Sequence, residues 1–262
     1  MSALTGDTDV FTSEKAAAAR ACVLFTATRQ DDLPGIYTRA HATAIETVLR
    51  ELAEEGWILS QRRVFDPEAE NRPMGIDTGF THAHDFAGVF EAPSLDAALN
   101  GTVRLEKAGW SRAFKTEWMI GLREFAPVFG KGAHGDHQWA FLALWEWNDQ
   151  WCEASVDERN AYDLECDEAF KGDLDHEINI SGRMRLDIGH HWHHLGYWEI
   201  AGPDIADSAI RGHERVADFK FTTSRHIVGR IRPLSELIKP VHDKGDDNGD
   251  EKGHDKEKRH NG

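Results

Sequence analysis

The second half of the chain repeats part of the first half at a constant spacing of 108 residues, without a gap in the matched stretch. The identical pairs are Gly88/Gly196, Glu91/Glu199, Asp96/Asp204, Ala98/Ala206, Glu106/Glu214 and Gly121/Gly229. These identities are few, but the order of the predicted elements is also the same in both halves. A repeat of this length indicates duplication of a whole folding unit. The chain is therefore predicted to contain one unit twice.

Each half shows the element order β-α-β-β-α-β. In the first half, apolar and β-branched runs predict strands at 21–28, 57–65, 80–91 and 110–122, and helical spacing predicts helices at 38–56 and 94–108. In the second half, strands are expected at 139–147, 180–188, 190–200 and 219–230, and helices at 155–171 and 203–217. This ferredoxin-like order predicts an α+β fold, in which two sheets covered by helices on one face pack their bare faces together.

Composition sets the boundaries of the two units. Residues 21–130 and 131–238 are assigned to the first and second ferredoxin-like repeats, and residues 1–20 to a loose N-terminus. Residues 239–262 are predicted to be a disordered tail, because charged residues, Gly and His supply nearly all of that segment.

The charge balance restricts the partners. Asp and Glu number 46 against 30 Lys and Arg, a net charge of −16, which repels nucleic acids and anionic lipid surfaces. The three cysteines show no CxxC spacing, and no apolar leader or membrane-length apolar stretch is present. We expect a cytoplasmic protein that binds a small organic molecule, and the bare sheet faces also permit a homodimer.

Several nucleotide-binding and hydrolytic motifs are absent from the sequence. No GxGxxG follows a predicted strand, and neither GxxxxGK[ST] nor GxSxG occurs. Rossmann dehydrogenases, P-loop kinases and serine hydrolases are therefore disfavoured.

The strand predicted at 190–200 carries the densest group of titratable side chains. Because side chains alternate along a strand, His191, His193, Tyr197 and Glu199 are predicted to face the interior between the sheets. In the first unit, Asp85 occupies the repeat position that corresponds to His193. We predict proton transfer by His191, His193 and Tyr197, with Asp85 and Glu199 orienting the imidazoles.

The last strand supplies the predicted substrate-binding residues. Arg225 and His226 are expected to hold an anionic oxygen of the substrate, and their counterparts in the first repeat are Glu117 and Trp118. Glu91, the repeat mate of Glu199, and Trp118 complete the predicted substrate contacts. The change from Glu117 and Trp118 in the first repeat to Arg225 and His226 in the second predicts that the active cavity belongs to the second repeat.

The element order and the repeat resemble the dimeric α+β barrel superfamily in its tandem-repeat form. Members of the chlorite-dismutase-like, dye-decolorising-peroxidase and aldoxime-dehydratase families hold haem under one axial histidine. The segment GYWEIAGPDIADSAIRGHERVADFKFTTSRHIVGR is similar to the C-terminal part of aldoxime dehydratases. The resemblance implies haem b with His213 as axial ligand, and His226 or His193 as the acid–base group on the other side.

Four functional alternatives remain open from the sequence. The first is a bacterial catabolic or secondary-metabolic enzyme of lyase, isomerase or monooxygenase type, acting without a cofactor on an aromatic or polyketide-like molecule. The second is a haem-dependent dehydratase or peroxidase. The third is a metal site at the HxH pairs His82/His84 and His191/His193, although the repeat places the two pairs on opposite sheet faces. The fourth is a non-catalytic ligand-binding protein.

Overall fold

A computed structural model describes residues 20–30, 33–62, 69–124, 127–132, 137–189 and 191–242. The predicted loose N-terminus, apart from Arg20, and residues 243–262 of the predicted tail lie outside the described residues. In the described ranges, no helix is both long enough and apolar enough to cross a membrane.

The first repeat follows the predicted element order. It comprises β1 (Ala21–Arg29), α1 (Arg39–Glu54), β2 (Met74–Asp77), β3 (Phe86–Ala92), α2 (Leu95–Leu105) and β4 (Phe114–Arg123). A π-helical segment, Glu106–Trp110, and a short turn, Ser111–Ala113, join α2 to β4. Helix α1 is amphipathic, because its buried residues recur every three or four positions: Ala42, Ile45, Leu49 and Leu52.

The second repeat has the same order. It comprises β6 (Trp139–Trp147), α4 (Val156–Asp173), β7 (Ile178–Arg185), β8 (His194–Ile200), α5 (Pro203–His213) and β9 (Thr222–Pro233). Shorter elements accompany the two repeats: β5 (Val128–Phe129), α3 (Asp149–Glu153), α6 (Asp218–Phe221) and α7 (Leu234–Leu237). Ser155 and Glu158 form a capping box at the start of α4, which satisfies two backbone N–H groups.

The strands form one antiparallel sheet in the order β4-β1-β3-β2-β9-β6-β8-β7-β5, and a further pairing between β4 and β7 closes eight of them into a barrel. The repeats therefore meet at two seams. Asp77 of β2 lies opposite Arg230 of β9, and Leu122 of β4 lies opposite Arg185 of β7. The predicted fold class is confirmed: the protein is an α+β barrel of two ferredoxin-like repeats.

A glycine permits close backbone approach at each seam. A Cβ atom on Gly121 would lie 1.6 Å from the carbonyl oxygen of Arg185, and a Cβ atom on Gly229 would lie 2.4 Å from the carbonyl oxygen of Asp77. Both the glycines and their partners are related by the spacing of 108 residues. The seams therefore obey a pseudo-twofold relation, which gives a physical reason for the identity of Gly121 and Gly229.

In the described ranges, the buried apolar residues form three clusters. One lies between the helices and sheet of the first repeat, one between the two sheet halves, and one between the helices and sheet of the second repeat. Strand β8 shows the alternation that separates two of them. Leu195 and Tyr197 belong to the cluster between the sheet halves, whereas Trp198 and Ile200 belong to the helix side of the second repeat.

Some predicted strand boundaries are wrong. Of the described residues in the range predicted as the second strand, 57–65, Ile58 alone forms a bridge, to Glu91, and the strand that joins the sheet is β2. Strand β3 begins at Phe86 and β4 at Phe114, later than predicted. An apolar run alone does not distinguish a strand from a buried helical segment. Trp110, at the start of a predicted strand, is buried in the core from a helical segment.

The seam geometry predicts a large effect of a single methyl group at Gly121. The Gly121→Ala substitution should lower the free energy of unfolding by about 3 kcal/mol, because the backbone of β4 or β7 must move to admit the methyl group. Gly172→Ala in α4 is the matched control, since a Cβ atom there meets no atom within 4 Å. The control should be neutral or more stable by up to about 1 kcal/mol. Urea unfolding of both variants measures the difference. Equal free energies of unfolding would contradict the close approach of the β4 and β7 backbones at Gly121.

Candidate functional site in the second repeat

A pocket opens between the helices and the sheet of the second repeat. Its volume is about 130 Å³. Helices α4, α5 and α6 form its roof, and β6, β7, β8 and β9 form its floor. The lining includes Ala143, Trp145, Trp147, Tyr162, Cys166, Phe170, Arg183, Gly196, Trp198, His213, Asp218, Phe219, Thr222, Ser224 and His226.

The alternation of side chains along each strand determines which residues reach this pocket. In β6, Ala143, Trp145 and Trp147 face the helices, and in β9 Ser224 and His226 do so. On the other face, Leu142 and Leu144 of β6 and Ile227 of β9 pack between the two sheet halves. The floor is therefore built from one face of the second half-sheet.

The corresponding space of the first repeat is filled by aromatic rings. The ring of Phe25 lies 5.3 Å from that of Trp110 and 5.1 Å from that of Trp118, measured between centroids. Trp110 in turn lies 5.2 Å from Phe114. Each of these residues has a smaller or more polar counterpart in the second repeat.

The counterparts follow from the repeat and from strand pairing. Phe25 lies opposite Gly88, and Ala143 lies opposite Gly196, the repeat mate of Gly88. At the spacing of 108 residues, four further pairs relate the repeats: Leu105/His213, Trp110/Asp218, Phe114/Thr222 and Trp118/His226. The pocket is therefore the space that the first repeat fills with apolar side chains and the second leaves open.

A buried hydrogen-bond network lies at the helix side of the pocket. The two ring nitrogens of His213 each face a carboxylate: Nε2 lies 3.0 Å from Oδ2 of Asp173, and Nδ1 lies 2.8 Å from Oδ2 of Asp218. The hydroxyl of Tyr162 donates to Oδ1 of Asp218 at 2.7 Å. Asp173 is almost fully buried and His213 is 8% exposed.

This arrangement favours the imidazolium form of His213. Burial opposes the charge, but the hydrogen bonds to Asp173 and Asp218 outweigh burial and raise the pKa of His213 to about 12. Burial also raises the pKa of Asp173, while its hydrogen bond to His213 acts in the opposite direction. Because both ring nitrogens must donate, we take the proton to reside on His213. Burial keeps Tyr162 a neutral phenol by raising its pKa.

His226 has different surroundings on the sheet side of the pocket. Its ring lies 5.1 Å from that of Phe141 and 6.1 Å from that of Phe219. Burial lowers the pKa of His226, and the charge of His213 lowers it further, while Asp218 acts in the opposite direction. A neutral imidazole at this place can accept a proton.

The structure does not bring His191 and His193 to this pocket. Strand β8 begins only at His194, and His191 lies exposed before it. The backbone N–H of His193 donates to Trp145, and its Nδ1 accepts a weak hydrogen bond of 3.4 Å from the backbone N–H of Trp147. The predicted strand face shared by His191, His193 and Tyr197 is therefore wrong, because β8 does not extend to His191 or His193.

Tyr197 and Glu199 face away from the helices, but the structure does not join them and Asp85 into a catalytic group. Tyr197 is fully buried in the cluster between the sheet halves. Glu199 lines a separate cavity of about 590 Å³. Asp85 accepts a hydrogen bond of 2.6 Å from the backbone N–H of Arg29 in the first repeat. The three carboxylate and phenol groups thus serve different environments.

The other predicted substrate contacts, apart from His226, also lie outside the pocket. Glu91 is fully buried and forms ion pairs with Arg20 and Arg123. Trp118 donates its indole N–H to Glu106 at 2.6 Å within the first repeat. Nη2 of Arg225 lies 3.2 Å from Nε2 of His84, on the sheet face opposite the pocket. These residues bind within the chain, so the geometry gives them no role at the pocket.

The HxH pairs do not form a metal site. Nε2 of His82 accepts a hydrogen bond from the backbone N–H of Val228 at 3.1 Å, and His84 contacts Arg225. His82 and His84 also lie in a turn before β3 rather than on a strand. A different group of ligand-type residues, Cys166, His213 and Asp218, has its donor atoms within 4.8 Å of one another in the described part of the chain.

Comparisons with known proteins show a likeness to solved structures but none to a family model. No protein-family model and no curated protein matches this sequence. Two solved structures of chlorite dismutase from Candidatus Nitrospira defluvii are similar to the chain. An arginine-to-lysine mutant shares 12% identity, covers 86% of this chain and 95% of its own, and superposes with a TM-score of 0.67. A complex with imidazole shares 12% identity over 84% and 93%, with a TM-score of 0.65.

This chain has the fold of the chlorite dismutase-like proteins. The resemblance inferred from the element order and the repeat is therefore confirmed for the fold. At 12% identity the likeness shows fold alone, so the chemistry of the pocket has to be argued from its own residues.

Haem, which the resemblance implied, does not fit the pocket in this geometry. Both nitrogens of His213 are hydrogen-bonded to carboxylates, so haem iron could bind only if one of these hydrogen bonds were broken and its carboxylate displaced. A cavity of about 150 Å³ in another protein binds one benzene molecule, and pockets for drug-sized ligands measure about 300–1,000 Å³. At about 130 Å³ the pocket admits one ring and not a porphyrin.

The buried pair of Asp173 and His213 predicts a stability effect. Asp173→Ala leaves the imidazolium with one of its two acceptors, which should lower the free energy of unfolding by about 3–5 kcal/mol. Asp207→Ala removes a carboxylate from an exposed ion pair with Arg211 within α5 and should lower the free energy of unfolding far less. Equal losses in denaturant titrations would contradict the buried imidazolium.

Proposed function

We propose that this chain is an enzyme that transfers protons to and from a small, single-ring organic molecule in the second-repeat pocket, without haem or a nucleotide. The observation that carries the proposal is the replacement of Phe25 and Trp118 in the first repeat by Ala143 and His226 in the second. That replacement creates a cavity and places a neutral imidazole in its wall.

The size and lining of the cavity support the substrate class. Its walls are mainly apolar and include several aromatic rings, among them Trp145, Trp147, Trp198, Phe170 and Phe219. Flat aromatic walls favour a ring that stacks or packs edge to face. The volume of about 130 Å³ limits the occupant to about one ring with short substituents.

His226 is the residue to which we assign proton transfer. A half-buried, neutral imidazole facing an apolar cavity can remove an acidic C–H or O–H proton and return it. His213 is unsuited to this step, because both of its N–H groups are held by carboxylates. Arg183, which lines the pocket and pairs with Glu124, could hold an anionic substituent at the mouth. The homodimer, the cytoplasmic location and the bacterial catabolic setting stay predictions.

The proposal predicts exchange of α-hydrogens in a single-ring ketone. Acetophenone in D2O should exchange its methyl hydrogens faster with the protein than in buffer, because a base in the pocket forms the enolate. His226→Gln should lower the protein-catalysed rate by about 10² or more, since general base catalysis contributes about 10²–10⁴. Nuclear magnetic resonance measures the exchange.

Two further variants locate the exchange. Ala143→Phe restores the ring of the first repeat and should abolish exchange by filling the cavity. His193→Gln is the matched control outside the pocket and should leave the rate unchanged. Exchange that survives Ala143→Phe, or that falls equally in His193→Gln, would contradict the assignment, provided that all variants keep the wild-type Tm within a few degrees.

A haem enzyme is the second candidate, because two solved structures with a similar fold are chlorite dismutases. Haem would require the helices α4 and α5 to move apart and His213 to release one carboxylate. Because the pocket is too small for a porphyrin and His213 is held by two carboxylates, haemin added to the protein should give no stoichiometric shift of its Soret band. A one-to-one spectral complex that disappears in His213→Gln would instead establish the haem candidate and overturn the first.

A further inference from the structure

Three side chains with metal-binding atoms meet in the roof of the pocket. The Sγ atom of Cys166 in α4, a ring nitrogen of His213 in α5 and a carboxylate oxygen of Asp218 in α6 all lie within 4.8 Å of one another. All three residues line the cavity. In the first repeat, the positions of His213 and Asp218 hold the buried apolar residues Leu105 and Trp110.

The hydrogen bonds of His213 and Asp218 leave one metal-binding atom of each residue directed at the other. Asp173 binds Nε2 of His213, so Nδ1 is the nitrogen directed at Asp218. Tyr162 donates to Oδ1 of Asp218, so Oδ2 is the oxygen directed at His213. Metal-binding histidines commonly donate their second N–H to a carboxylate, which fixes the tautomer and the ring orientation. Asp173 already occupies that supporting place.

The distances are compatible with a tetrahedral ion. Zinc binds nitrogen and carboxylate oxygen at about 2.0–2.2 Å and sulfur at about 2.3 Å, which separates the nitrogen and oxygen donors by about 3.3–3.5 Å. Nδ1 and Oδ2 are now 2.8 Å apart across a shared proton. An increase of a little over half an ångström would admit the ion in the place of that proton.

We propose that Cys166 Sγ, His213 Nδ1 and Asp218 Oδ2 bind one divalent ion of the zinc class, with a fourth coordination position open to the cavity. This inference rests on the proposed function in one respect only: the open position faces the cavity that would hold the substrate. Three protein ligands with one open position is the arrangement of catalytic rather than structural zinc sites.

The donor set selects the class of metal. Thiolate and imidazole ligands suit zinc, cobalt and other transition metals, whereas magnesium and calcium require oxygen ligands. The charges also balance, because a thiolate and a carboxylate neutralise a divalent ion and Asp173 keeps its hydrogen bond to the neutral imidazole. Binding releases the thiol proton of Cys166 and one proton of His213.

The test is a titration of the full chain with Co²⁺, which reports on both stoichiometry and ligand type. The wild-type protein should bind one Co²⁺ and develop a thiolate-to-cobalt charge-transfer band, and excess Zn²⁺ but not Mg²⁺ should remove the band. Cys166→Ser should lose the band, and Cys152→Ser, which changes an exposed cysteine outside the pocket, should keep it. Asp173→Asn should weaken binding by about 10–100-fold without removing a ligand.

The failures of the two proposals are distinguishable. Absence of the band in the wild-type protein, or an equal band in Cys166→Ser, would overturn the metal site, and Asp218→Asn provides a second variant if Cys166→Ser fails to fold. Hydrogen exchange that depends on His226 but not on added metal would leave the proposed function intact. A normal thiolate-to-cobalt band without any catalysed hydrogen exchange would support the metal site and contradict the proposed function.

Discussion

The space between a half-sheet and its helices has to be filled, because atoms that line a void lose dispersion contacts. The first repeat meets this requirement with a cluster of rings centred on Phe25. The second repeat has Ala143 in that place and builds the rest of the region from His213, Asp218 and His226. The pocket, its electrostatics and both proposals depend on this difference between two otherwise matching units.

The polar network of the second repeat is not needed for folding as such. Burying an imidazolium and two carboxylates carries a desolvation penalty, and apolar residues of similar volume are often at least as stabilising. The first repeat shows that alternative within the same molecule, since Leu105 and Trp110 occupy the positions of His213 and Asp218. A buried charge network that opens onto a cavity therefore points to chemistry in the second repeat.

The fold could be predicted from the sequence because the repeat and the element order are global features. The site could be predicted only in part. The family resemblance singled out His213, comparison of the repeats singled out His226 against Trp118, and both histidines line the pocket. Asp173, Tyr162 and Cys166 were missed because they lie in α4, outside the gapless match, and Asp218 was missed although its mate Trp110 lay within reach of the same comparison. The alternation predicted for 190–200 misled because β8 begins only at His194, which leaves His191 exposed outside the strand.

Diffraction from crystals pressurised with xenon tests the central claim most directly, because xenon occupies apolar cavities large enough for a benzene ring. An anomalous peak bounded by Ala143, Trp198 and Phe219, with none between Phe25 and Trp110, is the expected result. A peak in the first repeat, or an empty second repeat with its walls collapsed together, would contradict the claim that divergence between the copies opened one binding site.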